Sequence, residues 1–266
     1  MNITTWEEFK QGNFLNNDPI ALSIGVFDGL HKGHQALLKS IVNYSTEFSP
    51  TVLTFRENPA KTFGKDTFKG NITSLRQKLS GFSELGIKNV VLIDFSTEFS
   101  KLTGKEFILT VQKHMNLKYL AVGHNFRCGY KAMTNAEMIK EFCTDNNGCT
   151  VQIFKPVTIE GVPVSSTKIR ELIRSGEIRK ANTFLYKPYS LEISDLPLVK
   201  NEDEVSINTA SIDQVLPHNG VYAAIIYNNS AVSINITVDN DAVSWREPKS
   251  FTTKEILFKS ETTEKE

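Results

Sequence analysis

The stretch from Ile20 to Val42 constrains this chain more than any other. Ile20 to Phe27 is an apolar run that reads as one buried strand. Gly29, His31, Gly33 and His34 follow at once, and Leu37, Leu38, Ile41 and Val42 then recur at helical spacing. Strand, glycine-bearing turn and helix thus succeed one another directly. Such a unit aims backbone N–H groups and the positive end of a helix dipole at the turn, where an anion can sit. Gly25, Gly29 and Gly33 lack a Cβ, so the backbone can approach a ligand closely. His31 and His34 are three residues apart and fall on one side of the first helical turn. Two imidazoles there suit a polyphosphate that gains charge during a reaction. The plainer alternative is a helix-capping His31 and a satisfied surface His34. The strand before them and the helix after them weigh against it.

The chain's 266 residues suffice for one large domain or two smaller ones with their own cores. Its 30 basic and 30 acidic residues cancel, so no global charge favours nucleic acid or an anionic membrane. Cys128, Cys143 and Cys149 are odd in number and lack C-x-x-C spacing. They read as free thiols in a reducing, cytoplasmic setting, not as a disulfide frame or a zinc site. Met1 to Lys10 lacks the basic and apolar regions of a secretory signal, and no apolar run is long enough to span a membrane.

Apolar runs and helical patterns alternate after the first unit. Thr51 to Phe55, Asn89 to Phe95, Tyr119 to Val122 and Thr150 to Val157 read as strands. Between them, Ser74 with Gln77 and Thr103 with Glu106 form capping-box patterns before apolar faces. Ala136, Ile139 and Phe142 mark another helix, and residues 60–72 read as a loop. The alternation predicts a mostly parallel sheet with helices on both faces, whose ligands gather at the C-terminal strand ends. After residues 177–185, a last short helix, the texture changes. Val205 to Ile207, Gly220 to Tyr227 and Ala231 to Val238 are short β-rich runs. Asn228-Asn229 and Asp239-Asn240-Asp241 separate them as turns, which predicts a small antiparallel sheet or barrel.

Two further motifs follow predicted strands. In Val122-Gly123-His124-Asn125-Phe126-Arg127-Cys128-Gly129, Asn125 can meet a base or ribose, or can simply make a local turn. Arg127 and Lys131 form a basic segment, either over phosphates or merely solvated. In Val164-Ser165-Ser166-Thr167-Lys168-Ile169-Arg170, Ser165 or Ser166 is a natural N-cap. Ser166, Thr167 and Arg170 can meet on one side of the helix start, two hydroxyls and a guanidinium suited to β- and γ-phosphates. A plain N-cap beside a surface arginine is the alternative.

Together these stretches resemble the bacterial FAD synthetases, the FMN adenylyltransferases usually fused to a riboflavin kinase. Gly25-Val26-Phe27-Asp28-Gly29-Leu30-His31-Lys32-Gly33-His34 matches the family's G-x-F-D-G-x-H-x-G-H, and the Asn125 and Ser166–Arg170 motifs recur in the same order. The chain departs at Phe55 to Pro59, where the family's F-x-P-H-P loses its first proline and its histidine, and at Cys128, where phenylalanine is common. Tyr186-Lys187-Pro188-Tyr189 resembles the link to the kinase, and Leu216 to Ala223 resembles that domain's L-P-x-N-G-V-Y-A.

The resemblance implies an α/β fold: a Rossmann-like HxGH nucleotidyltransferase domain over 1–186, then a small antiparallel β-barrel-like domain over 187–259 and a polar tail over 260–266. It implies transfer of AMP from ATP to FMN, giving FAD and pyrophosphate, with Mg²⁺ on the triphosphate and no dedicated protein ligands for the metal. His31 and His34 would hold the ATP phosphates, and Ser166, Thr167 and Arg170 the β,γ end. Asn125 would meet the nucleoside, with Gly25, Phe27, Asp28 and Gly33 shaping the binding turn; Asp28 either reaches the metal or caps the turn. The partners implied are the small molecules ATP and FMN, with no nucleic acid and no membrane, and the oligomeric state is left open. A bifunctional enzyme, a nucleotidyltransferase with another acceptor, and a non-enzymatic flavin or nucleotide binder are the alternatives. Against a working kinase, Leu191 to Ala210 contains no glycine, and Ile207-Asn208-Thr209-Ala210 only echoes the family's P-T-A-N. Glu255 is the one candidate for its catalytic glutamate, in surroundings that do not match, and the stretch up to Glu266 is shorter than the family's barrel and closing helix need.

Overall fold

Strand β2 (Ile20–Ile24) is buried along its whole length and organises a parallel sheet. The computed structural model describes residues 1–12, 18–62, 68–228, 230–246 and 254–262. Asn229, Thr252, Thr253, part of the loop read over 60–72 and the last residues of the tail lie outside them. Before β2 come β1 (Asn2–Thr5) and α1 (Trp6–Lys10). Thr5 and Glu8 close a capping box there, and Trp6 and Phe9 bury the helix's apolar side. After β2 come α2 (Lys32–Val42), β3 (Ser49–Phe55), α3 (Pro59–Thr62), α4 (Leu75–Glu84), β4 (Asn89–Ile93), α5 (Gly104–His114) and β5 (Leu117–Gly123). The short pair β6 (Arg127–Cys128) and β7 (Thr134–Asn135) precedes α6 (Ala136–Asn147), β8 (Thr150–Phe154) and a second short pair, β9 (Thr158–Ile159) with β10 (Val162–Pro163). Both expected capping boxes form, at Ser74–Gln77 and Thr103–Glu106.

The sheet order is β1-β4-β3-β2-β5-β8, and every neighbouring pair is parallel. This is the parallel sheet the alternation predicts and the Rossmann-like α/β fold the resemblance implies. Chain order reverses at β2, between β3 and β5, so the C-terminal end of β2 is the switch point where ligands of such sheets bind. The strands read as continuous apolar runs because both faces are covered. Trp6 anchors one end of the core, stacked on Phe9 at 5.4 Å and edge-on to Phe99 at 5.6 Å.

A second body follows α7 (Ser166–Arg174) and α8 (Ile178–Phe184). Its strands are β11 (Ser190–Glu192), β12 (Leu198–Asn201), β13 (Glu204–Asn208), β14 (Gly220–Asn228), β15 (Ser230–Val238), β16 (Ala242–Arg246) and β17 (Glu255–Glu261). They pair antiparallel in the order β11-β17-β14-β15-β16-β13-β12. The sheet is curled as half a barrel, with β11 and β12 as its edges. Alternate residues are buried, Val205 and Ile207 on β13 and Val243 and Trp245 on β16, as a sheet with one covered face requires. Tyr189, Tyr222 and Phe258 pack ring to ring at 5.4 and 5.9 Å.

The second body is not built only from the chain after residue 186. The second includes Asp28–Lys32, residues 68–78 and the chain from Val164 onward; the first holds the parallel sheet. Nor does β17 stop at 259: Ser260 and Glu261 pair with Ala223 and Tyr222, and Thr262 donates to the Val221 carbonyl at 2.8 Å from its amide. The polar side chains of that stretch hid the strand. No helix among the described residues is long and apolar enough to cross a membrane.

Candidate active site

In the first body the candidate residues gather at the C-terminal ends of β2 and β5, which are parallel neighbours. Gly25 leaves β2 with its amide on the Leu53 carbonyl, at 3.1 Å. A Cβ on Gly25 would meet the Phe27 ring at 3.2 Å, so a side chain there would press on that ring. Phe27 holds the left-handed region, with φ of 54°. Such backbone is strained for a residue with a Cβ and persists where packing over-determines it. Phe27 is buried, edge-on to His34 at 5.2 Å and to Phe82 at 5.6 Å. The ring that begins the F-D-G sequence therefore fixes the bend and seats His34 on the first turn of α2, one residue after Gly33. Asn125 is exposed in the tight turn after β5, where the Phe126 amide donates to the Gly123 carbonyl at 2.9 Å. Arg127 and Cys128 pair with Asn135 and Thr134 in a short hairpin, and Lys131 lies over the Tyr130 ring at 5.2 Å.

The second body holds Asp28, His31, Ser166, Thr167 and Arg170. Ser165, not Ser166, is the N-cap of α7, its hydroxyl accepting from the Lys168 amide at 3.2 Å. That leaves Ser166 free to donate its hydroxyl to the Asp28 carbonyl, at 2.9 Å. One turn on, Arg170 donates from Nη2 to the Asp28 carboxylate and from Nε to the Gly70 carbonyl, at 2.8 Å for the latter. Its guanidinium also lies over the Phe68 ring at 5.5 Å. Thr167 faces solvent. So Ser166 and Arg170 do converge, and what they converge on is the Asp28 turn.

Asp28 is 5% exposed, and both its oxygens are engaged. Oδ1 accepts from the Ile72 and Thr73 amides at 2.9 and 3.2 Å, while Oδ2 takes Arg170. Burial pushes its carboxyl above the ordinary value, opposed by the Arg170 guanidinium, the two amides and the Lys78 ammonium. The same burial lowers Lys78 to about 8 and His31 to about 4. His31, 7% exposed, is therefore a neutral imidazole at physiological pH. Of the two readings of Asp28, the geometry fits the turn cap.

The residues sequence reasoning missed lie in the segment from Gly70 to Lys78. Gly70 supplies a carbonyl to Arg170, Ile72 and Thr73 supply amides to Asp28, and the Thr73 hydroxyl accepts from the Gly29 amide at 3.1 Å. Apart from the Thr73 hydroxyl, this segment contributes main-chain groups, so its side-chain identities carry little signal. Gly70 alone was legible in kind, as a turn glycine.

Residues 14–168 match the protein family described as FAD synthetase. A bifunctional riboflavin kinase/FMN adenylyltransferase of Escherichia coli K12 is 30% identical over 212 residues, covering 76% of this chain and 66% of that protein. Its namesake in Buchnera aphidicola from Acyrthosiphon pisum is 27% identical over 216 residues, covering 79% of this chain and 69% of that one. This chain thus spans about two thirds of the length of these relatives. A solved Streptococcus pneumoniae structure described as a macrolide-efflux protein shares the fold, with a TM-score of 0.83 at 21% identity over 98% of this chain and 91% of that one.

Proposed function

Because this chain belongs to the FAD synthetase family, we propose that it transfers the adenylyl group of ATP to FMN. An oxygen of the FMN phosphate attacks the α-phosphorus. The bond from that phosphorus to the α,β-bridging oxygen breaks, and pyrophosphate leaves with the electron pair. A phosphate monoester is already a competent nucleophile, so the protein's share is positioning and charge stabilisation. The observation that carries this reading is the family match over residues 14–168, which includes the whole Gly25–His34 signature.

In this reading His31 and His34 donate to the ATP phosphates. Burial keeps His31 neutral, so it offers one N–H and does not hold a permanent cation in place. Arg170, Ser166 and Thr167 take the β,γ end, with Arg170 already oriented by Asp28 and the Gly70 carbonyl. Asn125 meets the nucleoside at the end of β5. Gly25, Phe27 and Gly33 keep the turn open to it, and Asp28 holds the turn. Mg²⁺ arrives on the triphosphate, and no step is assigned to a protein-bound metal. The reaction takes place in the cytoplasm, where free thiols such as Cys128, Cys143 and Cys149 persist.

The catalytic portion is residues 1–186, and the β domain that follows is not a working riboflavin kinase. Supporting this, the Glu255 carboxylate accepts from Gln77 and from the Ser190 hydroxyl, an engaged structural acceptor. The test is incubation with FMN and Mg-ATP labelled at the α-phosphorus. Label recovered in FAD supports the reading; label released only as AMP, or not released, rejects it.

A further inference from the structure

Arg170 and Asp28 are held by one short piece of chain, and that piece is itself held by the antiparallel sheet. Gly70 accepts from Arg170, while Ile72 and Thr73 donate to Asp28. Between them, Asn71 donates its amide to the Asp213 carbonyl at 2.9 Å and accepts the Val215 amide at 2.8 Å. Asn71 and Gln214 form an isolated parallel bridge. Gly70 sits at a φ of 101°, and a Cβ there would meet the Val215 nitrogen at 2.6 Å. The bracket from Gly70 to Thr73 is thus pressed backbone to backbone against Asp213–Val215.

One side chain ties this bridge to the sheet. Gln214 is 6% exposed and uses its amide fully. The two hydrogens of its Nε2 are shared among the Ser190 carbonyl at 2.9 Å, the Ile72 carbonyl at 3.0 Å and Gln77 Oε1 at 3.2 Å. Its Oε1 accepts the Glu192 amide at 2.8 Å. Ser190 and Glu192 belong to edge strand β11. A buried network satisfied at every member is rigid and specifies one geometry.

We propose that Gln214 is a positioning residue for the phosphate-binding guanidinium: through it the antiparallel sheet fixes the Gly70–Thr73 bracket that aims Arg170 and Asp28. The sheet is then a working part of the transfer site, not an idle remnant. This inference rests on the triphosphate role of Arg170 proposed above.

Calorimetry with Mg-ATP and with AMP tests it on the full chain. Gln214→Ala should weaken ATP binding about tenfold while leaving AMP binding unchanged, the scale of a small misplacement in a bound phosphate contact. In an Arg170→Lys background, the same substitution should cause no further loss, because both changes act through one guanidinium. Equal losses for ATP and AMP, or losses that multiply in the double variant, would overturn the proposal. If Gln214→Ala does not unfold cooperatively, Gln77→Ala carries the same test from the half-buried side of the network. FAD formation by the parent is scored separately. A parent that prefers ATP over AMP through Arg170 and Gln214 yet makes no FAD defeats the adenylyl-transfer reading and upholds the positioning role.

Discussion

The two bodies of this protein present their candidate residues in different ways. In the first, Gly25, Phe27 and Asn125 follow the ends of strands whose own hydrogen bonds fix them, and His34 stands on the first turn of α2. Each is positioned by the element it follows or belongs to. In the second, Asp28 and Arg170 are positioned by a bracket from elsewhere in the chain, and that bracket by Gln214. The first arrangement is local and redundant. The second is assembled from four separated stretches, at Asp28, Gly70–Thr73, Arg170 and Gln214, so single backbone contacts matter more in it.

Gly70→Ala should break the bracketed body hardest. The new Cβ would enter the Val215 backbone at 2.6 Å, at a φ of 101° that side chains avoid. A loss upward of ~4 kcal/mol is expected, in the range reserved for backbone clash and strain. Gly12→Ala in the first body shares a positive φ but meets nothing within 4 Å, so about 1 kcal/mol is expected. Urea unfolding of the two variants decides; similar losses would erase the contrast.

The buried imidazole of His31 gives the next effect. Its folded pKa, about 4, lies below the 6.5 of a free imidazole, so below that value the unfolded chain binds the extra proton. The stability this contributes is complete above pH 6.5 and is lost as pH falls through 4. At ~1.36 kcal/mol per pKa unit the loss reaches about 3 kcal/mol. His31→Asn should remove that slope between pH 7 and pH 4, and an unchanged slope in the variant would show that another group titrates there.

How much was legible follows the same division. β2 and β4 are buried along their whole length and read as unbroken apolar runs. Capping boxes announced α4 and α5 by two side chains each. The box at Thr5 and Glu8 is equally plain, but α1 spans only Trp6–Lys10, too short to show a helical period. The spacing of Ser166 and Arg170 correctly put them on one side of α7, but nothing in it pointed to Asp28 as their shared partner. The bridge between Asn71 and Gln214 spans most of the chain and uses main-chain atoms, so no periodicity or motif records it. Strands β11, β12, β16 and β17 mix polar and apolar residues over short spans, so pairing rather than periodicity defines them.

Catalytic substitutions sharpen the comparison further. His31→Ala and His34→Ala should each slow FAD formation by ~10²-fold at saturating substrates, the scale of losing a transition-state donor. Steady-state rates within a few-fold of the parent would remove both from the chemistry. Arg170→Lys keeps the charge and loses the planar fork that grips Asp28 and Gly70 together. About tenfold weaker ATP binding, with AMP unaffected, is the expected and smallest effect. Equal losses for the two nucleotides would place Arg170 away from the β,γ-phosphates.

One paired assay addresses the central claim, adenylyl transfer to FMN beside a β domain without kinase activity. The purified chain is given Mg-ATP with FMN in one reaction and Mg-ATP with riboflavin in the other, and flavins and pyrophosphate are followed by chromatography. The account predicts FAD with equimolar pyrophosphate from the first and no FMN from the second. Absence of FAD from the first, or sustained FMN formation in the second, would contradict it.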